Sequence, residues 1–247
     1  MNSHRTDGPF RGAFRAATSA VAAMTLLLGW FTVTASAAYA QEAGGTVTRA
    51  AGKALEVRGG DVIYSNAGTR CTVGFNARSG NTLYGLVTGR CAQGATNWYA
   101  DAGLSVFVGT TASASFPGDD YALVRYSSSS VVFPGEVSLG TAGRVQDITG
   151  AASPTVGQSV CHVGRVTGYR CGTVTAVNVT VSYPEGTVSG LFRSNICSEP
   201  GDVGGPAFAG STALGVIVAI SGNCAAGGAT YYQPVVEWLS VYGLSLY

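Results

Sequence analysis

Between residues 59 and 234 the chain is written in short runs whose apolar residues recur at every second position, separated by clusters of turn residues. Leu104–Val108, Val177–Tyr183 and Leu214–Ile220 have this period, which places alternate side chains on opposite faces of a strand. Arg78-Ser-Gly-Asn81, Phe116-Pro-Gly-Asp119 and Pro184-Glu-Gly186 punctuate them at the intervals of an antiparallel barrel or sandwich. No amphipathic helix interrupts the pattern until Pro234–Gly243. There Val235, Trp238, Leu239 and Tyr242 fall at helical spacing, with Pro at the start and Gly at the stop. The expected fold class is therefore all-β with one C-terminal helix. A length of 247 residues suffices for a sizeable core, and 36 glycines suit tight turns.

The N-terminus has a different character. Arg5, Arg11 and Arg15 precede an apolar run from Ala20 to Val33 and the small-residue sites Ala35-Ser-Ala37 and Ala38-Tyr-Ala40. This is the layout of a signal peptide over 1–40, cleaved before Gln41 or Ala38, and the run is shorter than the roughly 20 residues a spanning helix needs. Residues 41–58, polar and small, read as a short leader, and folding is expected to begin near Gly59. An extracellular location and no membrane association after processing are the expectations.

All six cysteines lie beyond that segment, an even number that suits three disulfides in an oxidising compartment; spacing alone leaves about 15 connectivities open. A zinc site is a poor fit, because no CxxC spacing occurs and His162 is the one histidine beyond the signal. The net charge is +1, and no lysine follows Lys53, so no basic tract is present for nucleic acid. No cofactor is expected, and the protein is expected to be a monomer. Asn178-Val-Thr180 fits a glycosylation sequon but is read as an ordinary surface position.

The stretch with most chemical content is Cys197-Ser-Glu-Pro-Gly-Asp-Val-Gly-Gly-Pro206. It resembles the nucleophile loop of the streptogrisin and alpha-lytic protease type of bacterial serine protease, with Val203 where that family has serine. Gly59-Gly-Asp-Val-Ile-Tyr-Ser65 is similar to the family's mature N-terminus. Leu86-Val-Thr-Gly-Arg-Cys91 is similar to the loop bearing its catalytic histidine, with Arg90 at that position. Phe116–Tyr126 resembles the segment of the catalytic aspartate, here Asp120, and Val160–Gly172 resembles a disulfide hairpin. Ser221-Gly-Asn-Cys224 and Gln233-Pro-Val235 complete a likeness that runs in order from about residue 59 to 247.

The resemblance implies a trypsin/chymotrypsin-like fold of two antiparallel six-stranded β-barrels, about 59–150 and 151–247, with a cleft between them. It also implies the disulfides Cys71–Cys91, Cys161–Cys171 and Cys197–Cys224. Gly201 and Val203 correspond to the family's oxyanion-hole residues. Val218, Ala219 and Ile220 stand where relatives have Ser-Gly-Gly, and the branched Ile220 is expected to narrow the primary pocket.

Acyl transfer in this fold uses a hydroxyl nucleophile and an imidazole base. Val203 offers an isopropyl group, and the Arg90 guanidinium remains protonated and presents donors only. The reading that follows is an inactive homologue, not an enzyme, that binds a protein or peptide, protease inhibitors included. The alternative is an active peptidase or esterase that uses non-standard residues such as Thr88 or Ser221. Two structural pairs are expected: Arg90 with Asp120, and His162 with Asp202, the latter raising the imidazole pKa.

Overall fold

A computed structural model describes residues 54–140 and 143–247. The expected signal peptide, and the leader up to residue 53, lie outside these residues. In chain order the strands are β1 (Leu55–Glu56), β2 (Val62–Ser65), β3 (Arg70–Thr72), β4 (Phe75–Ser79) and β5 (Thr82–Val87). A one-turn helix α1 (Gly89–Ala92) precedes β6 (Asn97–Tyr99), β7 (Phe107–Ser115), β8 (Tyr121–Tyr126), β9 (Val131–Val132), β10 (Glu136–Ser138) and β11 (Val145–Asp147). There follow β12 (Gly150–Ala151), β13 (Ser159–Gly164), β14 (Gly168–Tyr183), β15 (Gly186–Ser194), β16 (Pro206–Ala209), β17 (Thr212–Asn223), β18 (Gly227–Pro234) and α2 (Val235–Tyr242).

The strands form two large curled sheets. The first has the order β3-β2-β6-β7-β8-β5-β4, and its two ends are joined by only Val73 and Gly74, so one bent segment occupies both edges. The second has the order β12-β17-β16-β13-β14-β15-β18 and a further β17–β18 pairing, which closes six strands into a ring with β12 added in parallel outside it. Closure removes the exposed edges that an open sheet leaves unpaired. The expected pair of six-stranded barrels is recovered in this form.

The folded chain begins earlier than Gly59. Leu55–Glu56 pairs with Val131–Val132, Val57 is buried, and Arg58 forms ion pairs with Glu56 and Glu136 at 2.6 Å each. Residues 55–58 therefore belong to the first barrel rather than to a leader.

Two of the three expected strands lie within longer ones, β14 and β17, and the third is displaced. Leu104–Val106 is a turn, because the Asp101 carboxylate accepts the N–H groups of Ser105 and Val106 and holds Leu104 at φ +54°. Local side-chain hydrogen bonding competes with the ladder there, and β7 starts at Phe107.

β17 departs from simple alternation: Ala213 to Val218 are all buried. Leu214 and Ile217 face the second barrel's interior with Phe192 and Tyr232. Ala213 and Val216 face the opposite way, into a cluster that includes Phe75, Leu86 and Leu123 of the first barrel, together with Val163, Phe208 and Trp238. A strand apolar on both faces is what packing between two cores requires. α2 caps this shared core: Trp238 is fully buried and stacks on Tyr121 of β8 at 5.7 Å, and Gly243 ends the helix at φ +61°. The three disulfides are Cys71–Cys91, Cys161–Cys171 and Cys197–Cys224, as the resemblance implied.

Candidate active site between the barrels

The loop 201–205 joins Pro200 to β16, and its glycines answer to distinct constraints. Gly201 and Gly204 have φ of +106° and +93°, a region that side chains with a Cβ seldom adopt. A Cβ on Gly205 would lie 2.2 Å from the Val163 carbonyl oxygen. The Gly204 N–H donates to the Ile217 carbonyl and the Ile217 N–H to the Gly205 carbonyl, which ties the loop to β17.

Asp202, fully buried, is the anchor beneath the loop. Its carboxylate accepts the N–H groups of Glu199 (2.8 Å), Val166 (2.7 Å) and Thr167 (3.1 Å), and the Thr167 hydroxyl at 2.8 Å. Burial opposes ionisation, but these donors outweigh it, and the pKa of Asp202 is lowered. The turn between β13 and β14 thus supplies the hold that His162 was expected to supply.

His162 does not pair with Asp202. Its Nδ1 lies 2.8 Å from the Tyr232 hydroxyl, and its Nε2 is buried without a hydrogen-bond partner. Burial lowers its pKa to about 4, against a smaller raising effect of the Asp202 charge. The expected upward shift is therefore corrected to a downward one, because desolvation exceeds an attraction that no hydrogen bond assists.

Asp120 precedes β8 and is 1% exposed. One carboxylate oxygen accepts the backbone N–H of Arg90 at 2.8 Å, and its own N–H donates to Gln233 Oε1 at 3.1 Å. Gln233 in turn donates to Glu237 of α2 at 2.9 Å. Burial raises the Asp120 pKa to about 6, while the N–H groups of Arg90 and Gly89 and the Arg90 charge act in the opposite direction.

The expected side-chain pair between Arg90 and Asp120 is absent. The half-exposed Arg90 guanidinium instead reaches Glu185 Oε1, on the β14–β15 turn of the second barrel, at 3.2 Å. It lies 5.2 Å from the ring centroid of Tyr183 and 5.8 Å from that of Phe116, rings that are themselves edge-to-face. An exposed carboxylate and two aromatic faces hold the guanidinium at less desolvation cost than a buried carboxylate would impose. Glu185 is 95 residues from Arg90, so no local spacing announced this contact.

Val203 is 37% exposed and shares a small concavity with Gly201 and the Cys71–Cys91 disulfide. The N–H groups of Gly201 and Val203 make no hydrogen bond among the described residues. Two unpaired amides two residues apart on a fixed loop suit an oxyanion. Val218 packs against Val188 and Leu191, and its carbonyl accepts the Tyr183 hydroxyl at 3.1 Å. Ala219 and Ile220 are half-buried and pair with Tyr231 and Thr230. Thr88 is buried and Ser221 exposed. Among the described residues, no group of three or more His, Cys, Asp and Glu is arranged to hold a metal.

Residues 78–240 match the family described as Trypsin. Serine protease 2 of Streptomyces fradiae is 48% identical over 176 residues, 70% of this chain and 100% of that protein. Streptogrisin-A of Streptomyces griseus is 42% identical over 202 residues, 81% of this chain but only 65% of the relative. Among solved structures, alpha-lytic protease homolog N4 aligns with a TM-score of 0.74 at 55% identity, covering 78% of this chain and 100% of that one. These relatives overturn the expectation that the chain is not an enzyme. Proteins 42–48% identical to it are serine proteases, and the likeness points to protease activity.

Proposed function

The chain belongs to the trypsin family of serine proteases, and from that premise we propose that it is a secreted protein that binds extended polypeptide between its barrels and hydrolyses it there. Secretion is supported by the three disulfides and by the export-like N-terminus. The observation that carries the reading is the 201–205 loop, which keeps the Gly201 and Val203 amides unpaired over the Asp202 anchor.

The route differs from that of a serine nucleophile. Val203 has no atom that can form an acyl-enzyme, so water attacks the carbonyl carbon directly. Asp120 retains two backbone donors and no side-chain cation hydrogen-bonded to it, and its pKa of about 6 suits a base near neutral pH. It takes the proton of the attacking water, relayed through solvent. The oxyanion rests on the two amides until the C–N bond breaks and the amine leaves with that proton. Oxyanion stabilisation and binding alone sustain roughly 10³ to 10⁴ over water in a dismantled triad, which sets the scale expected. Ile220 narrows the primary pocket, so small side chains are the ones it admits.

The test is incubation of the purified protein with a diverse peptide library, reading new termini by mass spectrometry. The expected result is slow cleavage after small residues, with no covalent adduct to a serine-reactive phosphonate. A library that neither binds nor is cut contradicts the reading.

A further inference from the structure

The concavity beside the candidate oxyanion hole, about 190 Å³, has an electrostatic character that the proposed hydrolysis does not use. Arg70, at the start of β3 in the first barrel, and Arg165, on the β13–β14 turn of the second, both line it. Between them lie Gly201, Val203 and the Cys71–Cys91 disulfide. No carboxylate lines the cavity. Among the described residues neither guanidinium has an ion-pair or hydrogen-bond acceptor, in contrast with Arg58 and Arg90, which pair with glutamates. Arg165 Nη2 lies 2.7 Å from where a Cβ on Gly201 would stand, so only glycine at that position admits the guanidinium so close to the loop.

Two unpaired guanidiniums from different barrels thus meet beside the oxyanion loop in a cavity with room for a small group. Guanidinium forks in such a place match the planar, doubly accepting geometry of a carboxylate. We infer that this cavity receives a carboxylate of the bound polypeptide, either an acidic side chain or the chain's C-terminus. The inference rests on the proposal that polypeptide occupies the cleft, and it names the chemical class selected there. The Asp202 carboxylate keeps its charge but turns its oxygens to four donors beneath the loop, and it is not among the residues that line the cavity.

The test uses fluorescent hexapeptides carrying a single Glu at each position in turn, or Gln in its place, each prepared with a free or an amidated C-terminus. Binding to the full protein is read by anisotropy. The expected result is about tenfold tighter binding of one Glu peptide, or of the free-acid series, than of the amidated Gln peptides. That preference falls about fivefold in Arg70→Gln and in Arg165→Gln, weakens with salt, and is unchanged in Arg125→Gln, whose exposed guanidinium lies elsewhere. A preference for Glu in amidated peptides identifies the side chain as the carboxylate; a preference confined to free acids identifies the C-terminus. Equal binding of amidated Gln, Glu and free-acid peptides overturns the carboxylate site while leaving peptide binding intact. If no peptide binds, the reading of the cleft fails and this inference falls with it.

Discussion

Buried ionisable residues act in opposite directions here. His162 titrates at about 4 in the fold against 6.5 ordinarily, so between those values the unfolded chain binds the extra proton and stability falls as pH falls. Asp120 titrates at about 6 against 3.8, so in nearly the same window the folded chain binds the extra proton and stability rises as pH falls. Each amounts to about 3 kcal/mol and they nearly cancel. Asp120→Asn removes one side of the balance. Denaturation at pH 6.5 and pH 4 is expected to show the variant losing about 3 kcal/mol more than the parent over that interval, whereas an equal loss contradicts the account. A second variant addresses the chemistry. With Asp120, the 201–205 loop and its Asp202 anchor in place, the double substitution Arg90→His and Val203→Ser is expected to gain phosphonate labelling and at least about 10²-fold in peptide hydrolysis. Either single substitution is expected to leave labelling absent. The identities of these residues were legible in the motifs, but their partners were not. Arg90 turned to Glu185 and the two rings, and His162 to Tyr232, because desolvation decides between partners that are far apart in sequence.

At the scale of elements, α2 and β17 join the barrels. Trp238 is fully buried in the cluster shared by both, against Tyr121. Trp238→Ala is expected to cost about 3–5 kcal/mol in chemical denaturation. A loss below about 1 kcal/mol would mean that the helix is not part of this core. The helix was legible because Pro234, the apolar spacing and Gly243 all agree, and the hairpin turn at Arg78–Asn81 likewise, with Gly80 at φ +57°. Leu104–Val106 was misread because Asp101 captures the backbone that alternation alone assigned to a strand. Residues 55–58 were missed because two-residue strands carry no periodicity; Val57 and Arg58 are held by contacts with residues about 75 positions away.

The described residues form a pair of barrels stapled by three disulfides, with the retained carboxylate on one barrel and the oxyanion loop on the other. The two-barrel architecture and the disulfide pairing followed from motifs ordered along the chain, since each motif occupies a fixed place in the family's topology. The claim that the chain is no enzyme did not follow. It rested on Arg90, Val203 and the pocket residue Ile220, and gave too little weight to the Gly201 and Val203 amides and the Asp120 carboxylate that the fold preserves. The account therefore stands on Asp120, and the measurement that tests it is the rate of peptide hydrolysis by the purified protein beside Asp120→Ala across pH 4 to 8. The account predicts turnover in the parent that rises with pH through about 6 and falls at least about 10²-fold in the variant. Equal rates in the two proteins, or a parent rate with no inflection near pH 6, would contradict it.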